Sequence, residues 1–328
     1  MPLDLMDPRE EHHRIPSPEP GLGLFLRRLA ATSGHRRPVL YVHGATFPSA
    51  LSVAHRFANG SWRDALARAG YDVWALDFLG FGGSDRYTAM QEPAEARGPL
   101  LLAADAVRQL DVALRYVVER TGAPRVNLIA HSWGSTVGGL LAGERPELVD
   151  RLVFFGAISR REPPRYHPLP DGPAWRDIGI EAQWDRFVED VPEGAAPVLS
   201  REEFADWAMG YLDTDADSRG REPAAVRVPS GPFVEIQRSW NGALPYCPGL
   251  IRAPVGLIRG EWDGLATDTD ARWLFDALAQ SPDKRDVKIG RGTHLLHLEE
   301  NRTALWRESI AFLDGSAGSA RKDTPCFR

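Results

Sequence analysis

The stretch RVNLIAHSWGSTVGG, residues 125–139, decides the fold. A β-rich run, Arg125–His131, meets Ser132, and a helical pattern opens directly behind it. A strand that turns at once into a helix lifts the serine hydroxyl above the sheet edge. Its strained backbone then tolerates only small residues two positions to either side. Gly134 meets that demand, and Ala130 stands one methyl above the commoner glycine. A serine between strand and helix can also be no more than a helix cap. The choice therefore rests on the rest of the chain.

On both sides of this turn, short apolar runs alternate with helical patterns. Before it come a possible strand at 21–30, the strand PVLYVHG at 38–44 and the helix SWRDALARAG at 61–70, with Ser61 as N-cap and Gly70 as stop. YDVWALDF at 71–78 is the next strand. Leu102, Ala106, Leu110, Ala113 and Val117, three and four apart, then mark one face of a long helix. After the turn, LVFFGAI at 152–158 is another strand. Strands alternating with helices predict parallel βαβ units in a sheet covered on both faces. The rhythm breaks between 159 and 250 and resumes with strands at 254–263 and 286–294 and helices at 269–280 and 298–315. This predicts one core, residues 21–158 and 251–314, with a largely helical cap inserted at 159–250. An extended proline-rich arm (1–20) precedes the core, and a disordered tail (315–328) follows it.

Composition narrows the classes of function. With 328 residues, 43% hydrophobic and 26% charged, the chain has the make-up of a globular protein with a substantial core. Its net charge of −6, without a dense basic block, excludes a nucleic-acid partner. No run approaches the roughly 20 apolar residues of a membrane span, and the N-terminus lacks the pattern of a signal peptide. Cys247 and Cys326 form no disulfide framework, and no Cys/His cluster has metal-ligand spacing. The expectation is a cytoplasmic protein acting on a small molecule, without membrane partner, metal or cofactor.

Acyl transfer needs a base for the serine, a carboxylate to orient that base, and two N–H donors for the developing oxyanion. His43-Gly44-Ala45-Thr46 ends an early strand, so Ala45 is the natural first donor and Trp133, following the serine, the second. His43 itself is expected to brace the loop. On such a sheet the chain order is serine, acid, histidine. Asp263, at the end of the strand 254–263, is the acid; Asp268 and Asp270 read as first-turn helix acids. His294 follows a strand directly and is the base, while His297, three residues on, braces the junction behind it.

Together these motifs resemble the α/β-hydrolase superfamily, from about residue 21 to 314. Asp77-Phe78-Leu79-Gly80-Phe81-Gly82-Gly83-Ser84 is similar to that family's D-x-x-G-x-G-x-S loop, a structural turn without the lysine of a phosphate loop. GTHLLHLE is similar to its catalytic-histidine segment. The resemblance implies a cap after the nucleophile helix and an activity set by the nucleophile. Dehalogenases and epoxide hydrolases of this fold use aspartate at the turn, so Ser132 speaks against both. Hydrolysis of an ester or thioester is expected first, and C–C bond hydrolysis, iminopeptidase-type amide hydrolysis and acyl transfer are alternatives on the same triad. A non-catalytic binding protein of this fold is the rival from another class. No G-x-G-x-x-G opens the first βα unit, which disfavours an oxidoreductase. Trp175, Trp184, Trp207 and Trp240 in the cap, with Trp133 beside the serine, are candidate walls for an apolar or aromatic substrate.

Overall fold

A computed structural model describes residues 7–32, 37–161 and 172–315. Its core is one eight-stranded sheet. In chain order the strands are β1 (Glu11–Pro16), β2 (Gly23–Leu29), β3 (Arg37–Val42), β4 (Tyr71–Asp77), β5 (Val126–His131), β6 (Val149–Phe155), β9 (Val255–Gly260) and β10 (Lys284–Ile289). The missing numbers, β7 (Trp175–Gly179) and β8 (Ala225–Pro229), form a separate antiparallel pair in the cap. The spatial order is β1-β2-β4-β3-β5-β6-β9-β10, antiparallel at the β1–β2 and β2–β4 contacts and parallel elsewhere.

The sequence cues act through identifiable contacts. Ser61 and Asp64 cap α1 (Trp62–Arg68) reciprocally, each side chain meeting the other's backbone N–H. Gly122, at φ 69°, closes α2 (Ala103–Thr121) in the left-handed conformation. α3 (Trp133–Glu144) follows β5 without a break. α7 (Asp268–Ala277) begins at Thr267, whose side chain forms a capping box with Asp270. α8 (Arg302–Leu313) closes the core. Leu66, Leu305, Trp306 and Phe312 pack with Val39, Ile129 and Val153 on one face of the sheet. Leu110, Val137, Leu141 and Leu274 pack with Leu40, Leu128 and Phe154 on the other.

Two sequence boundaries shift. The arm is extended, yet its residues 11–16 pair with β2 as an edge strand, and Glu10 ion-pairs with the buried Arg27 and Arg63. Alternating E-H-H-R-I leaves Ile15 on the buried side. The acid-bearing strand ends at Gly260, so Asp263 lies on the loop beyond it. A Cβ on Gly260 would stand 2.2 Å from the carbonyl oxygen of Gly292, so the two loops touch there through bare backbone. The segment expected to be a disordered tail lies outside the described residues from 316 on.

The cap, between β6 and β9, carries α4 (Ile180–Val188), α5 (Arg201–Leu212) and α6 (Gly231–Trp240) besides the β7–β8 pair. Registry places the site below it. Val42, Ala130 and Phe154 are level across β3, β5 and β6, and Phe155 is level with Ile258 of β9. The loops after these strands therefore emerge side by side, carrying Gly44, Ser132, Gly156 and Asp263.

Candidate active site

Ser132 has φ 55° and ψ −128°, a conformation that costs a non-glycine residue about 1–3 kcal/mol and persists only where neighbours over-determine it. The neighbours are specific. The Ser132 N–H donates to Phe155 O at 2.9 Å, while the Ser135 N–H and Oγ–H both donate to Ser132 O, at 2.8 and 2.6 Å. Gly134 lies so close to β3 that a Cβ there would sit 2.5 Å from His43 O and 2.7 Å from Val42 O. The extra methyl of Ala130 is met by Gly138 on α3, where a Cβ would stand 3.0 Å from that of Ala130. A glycine one turn into the helix thus gives the space that glycine in the strand would otherwise give.

His294 joins the serine to the acid. The Ser132 hydroxyl donates to His294 Nε2 at 2.8 Å, and His294 Nδ1–H donates to Asp263 Oδ1 and Oδ2, both at 3.0 Å. The carboxylate only accepts, which fixes the proton on Nδ1 and leaves Nε2 free to accept. Asp263 Oδ1 also accepts from the N–H groups of Leu265 and Ala266, at 2.9 and 2.8 Å. All three side chains are buried, with 3–5% of each residue exposed. Gly156, at φ 58°, passes beneath the imidazole, where a Cβ would lie 2.9 Å from His294 Cε1.

The loop after β3 is braced from behind. The Phe78 N–H donates to His43 Nε2 at 3.1 Å, so His43 Nδ1–H donates to Gly44 O at 2.8 Å. Burial holds this imidazole below the usual histidine range, in keeping with a neutral brace. The Asp77–Ser84 loop is a turn built on its own polar groups. Asp77 accepts from Ser49 N–H (2.9 Å) and Gly83 N–H (3.0 Å), and Ser84 Oγ accepts from Phe25 N–H (2.8 Å). Gly44 runs directly past Ser132, since a Cβ there would lie 3.0 Å from Ser132 Cβ.

His297 sits behind the triad. Its ring lies 4.5 Å from that of His131 and faces Phe47 and Phe155, and neither nitrogen has a hydrogen-bond partner among the described residues. Burial, reinforced by the neighbouring histidines, drives both His131 and His297 well below the ordinary value. Two neutral imidazoles thus pack beside the one that contacts serine.

The tryptophans are engaged with other groups. Trp133 is fully buried, packs edge-on against Phe78 and donates Nε1–H to Glu235 at 2.8 Å. Trp175 donates to Glu92 O, with the Arg227 guanidinium over its ring. Trp184 packs on Phe204 under Arg201, and Trp240 lies under Arg161. Trp207 stacks on Tyr211, packs on Phe47 and donates to Leu51 O at 3.0 Å. Through Phe47 it comes nearest to the histidine cluster.

Four residues that the sequence did not single out act on the site's loops. Glu235 accepts from Trp133 as above and from Ala103 N–H at 2.7 Å, and burial raises its carboxyl. Asp190 accepts from Gly264 N–H at 3.0 Å, beside the acid. Glu299 accepts from the Thr293 N–H at 2.9 Å and from its hydroxyl, and burial pushes this carboxyl up to about 7. Arg186 donates to Thr46 Oγ1 at 2.7 Å. In sequence Glu235, Asp190 and Arg186 are single charges that nothing in the spacing marks.

Fold and site define an α/β protein with a hydrogen-bonded serine, histidine and aspartate at the ends of adjacent parallel strands. The chain belongs to the alpha/beta hydrolase fold family, whose model matches residues 37–301. Lipase member N of Homo sapiens is 32% identical over 131 residues, 40% of this chain and 33% of the lipase, so the chain spans about a third of that relative. Among solved structures, potato (Solanum tuberosum) epoxide hydrolase I superposes with a TM-score of 0.63 at 18% identity, over 93% of this chain and 99% of that one. The thioesterase domain from the curacin biosynthetic pathway superposes at 0.58 and 16% identity, over 92% and 99%. At these identities both share the fold alone. No helix among the described residues is long and apolar enough to cross a membrane.

Proposed function

We propose that the protein is a serine hydrolase that cleaves a carboxylic ester or thioester of small to medium size and apolar or aromatic body. The observation that carries this reading is the continuous chain Ser132 Oγ–His294–Asp263, with the serine on a strained turn. Ser132 Oγ attacks the acyl carbon while His294 Nε2 takes its proton. The carbonyl π electrons move to oxygen, where the N–H groups of Ala45 and Trp133 stabilise the charge. Collapse expels the alcohol or thiol, which takes the proton from His294. Water then repeats the sequence on the acyl-enzyme and releases the acid. Asp263 holds the tautomer and stabilises the imidazolium, and the neutral His131 and His297 add no competing charge. The partial match to a lipase supports ester chemistry, and Ser132, where aspartate would be needed, supports it over epoxide opening.

The test is labelling by a small neutral fluorophosphonate together with hydrolysis of p-nitrophenyl esters. Wild type is labelled and turns over; Ser132→Ala, with an unchanged circular dichroism spectrum, does neither. A folded Ser132→Ala protein that keeps its turnover refutes the assignment.

A further inference from the structure

Arg186, on the last turn of α4, is a cap cation with no ion-pair partner among the described residues. Its Nη1–H groups donate to Thr46 Oγ1 at 2.7 Å and Gln183 Oε1 at 3.2 Å, both neutral acceptors. Among the described residues no carboxylate lies within ion-pairing distance of it, although Glu189 and Asp190 act on it from further away. Nε and Nη2 are left without acceptors among those residues. Arg186 is half-buried, and burial lowers its guanidinium. A charge held partly out of water gains from an opposite charge that completes it.

Position says what would complete it. Thr46 follows Ala45 on the loop that faces Ser132, and the field of Arg186 reaches His131, the residue before the nucleophile. The guanidinium is therefore tethered by one edge to the loop after β3, and its Nε/Nη2 edge has no acceptor among the described residues. That edge presents two parallel N–H donors, the pattern that matches a carboxylate. Asp190 accepts from Gly264 N–H, and neither it nor Glu189 forms an ion pair with Arg186.

We propose that Arg186 is a carboxylate-binding residue, and that the substrate is an ester bearing a free carboxylate on an otherwise apolar body. This rests on the serine-hydrolase reading given above. A terminal carboxylate on the acyl chain binds Arg186 while the ester carbonyl lies against Ser132. The cap then selects by charge as well as by shape, through one residue joined to the loop that holds the oxyanion donor.

The experiment compares mono-p-nitrophenyl adipate with its terminal carboxamide, on wild type, Arg186→Met and Arg186→Lys. A charge-assisted pair predicts that wild type favours the carboxylate in kcat/KM by roughly ten- to a hundredfold. Arg186→Met should cut that ratio by about tenfold or more, and Arg186→Lys, which keeps the charge without the fork, should fall between. The comparison is a ratio within each protein, so a general loss of activity cancels; if the Met variant misfolds, the Lys variant decides. A wild-type ratio near one, or equal losses on both esters in the variants, overturns the proposal and leaves Arg186 as a brace for Thr46. If neither ester is turned over and the phosphonate does not label Ser132, the serine-hydrolase reading itself has failed, and this proposal with it.

Discussion

Core and cap bury their polar groups in different ways. In the core, polar side chains answer groups of the same layer: His43 bridges Phe78 and Gly44, Asp77 gathers Ser49 and Gly83, and Asp263 holds His294, Leu265 and Ala266. In the cap, aromatic rings answer one another, with Trp207, Tyr211, Phe187 and Phe204 in one stack. Several of the cap's charged groups instead reach out of it, Glu235 to Trp133, Asp190 to Gly264 and Arg186 to Thr46. Those three contacts fall on the Ser132 turn, the Asp263 loop and the loop after β3. The core thus holds the proposed reacting groups, and the cap contacts the loops that carry them. Substitutions in the core should remove chemistry, and those at the cap contacts should detune it.

The largest expected effect separates two histidines within the core. His294→Ala removes the base and should lower kcat/KM by about 10⁴-fold or more, with no further loss when Ser132→Ala is added, because the triad acts as a unit. His297→Ala removes a ring from an apolar stack, so it should lower the melting temperature while leaving most of the turnover. Steady-state kinetics and thermal denaturation on the three proteins check this. A larger catalytic loss at His297 would exchange the two assignments.

A smaller effect concerns Glu299, which supports the His294 loop through Thr293. Its carboxyl is raised from an ordinary 4.5 to about 7, chiefly by burial. A raised acid favours the folded state in its protonated form. Its contribution is therefore full below about pH 4.5 and is lost as pH rises through about 7. Glu299→Gln keeps an acceptor for the Thr293 N–H without a charge to desolvate. It should remove on the order of 2–3 kcal/mol from the decline in stability between pH 5 and 8. Urea midpoints at the two pH values measure it, and an unchanged decline would show that Glu299 is solvated or paired.

The same division explains what the sequence could reveal. β5, α3 and the turn between them are set by local rules, namely an apolar β run, a small-residue requirement and a helix start, so Ser132 and Gly134 were legible from a dozen residues. His294 and Asp263 were legible because each follows a strand and the chain order is fixed by the sheet. Asp263 was still read as strand-final, since the strand's end at Gly260 is set by contact with Gly292, over thirty residues away. The arm's pairing as β1 was missed for a related reason, its proline content outweighing a short alternation whose partner is β2. Arg186, Asp190 and Glu235 were invisible because their partners lie on other elements, from about seventy residues away to well over a hundred. The cap tryptophans attracted attention by size; Trp184 and Trp207 pack on Phe204, and Trp175 and Trp240 lie under Arg227 and Arg161.

The smallest effect tests whether the cap reaches the chemistry through Trp133. Glu235 Oε2 accepts both the Trp133 indole N–H and the Ala103 N–H, at 2.8 and 2.7 Å, in a buried setting. Both bonds end on one oxygen, so a glutamine carbonyl with its two lone pairs can accept them both. Alanine leaves two buried donors unpaired, at about 1–3 kcal/mol of stability. The indole then loses the anchor that fixes its ring, and the backbone N–H assigned to the oxyanion belongs to the same residue. Removing such a donor outright costs on the order of 10²–10³ in rate. A donor that is only loosened should cost well under that, and the loss should fall on kcat rather than KM because the oxyanion exists only in the transition state. The expected result is thus a modest drop in kcat for Glu235→Ala with KM nearly constant, and recovery of both kcat and stability in Glu235→Gln. Loss of stability with kcat intact would mean that Glu235 fastens the cap and nothing more. Equal damage from Gln and Ala would mean that the charge itself, not the accepting oxygen, holds Trp133, and the division between a reacting core and a positioning cap would need redrawing at that residue.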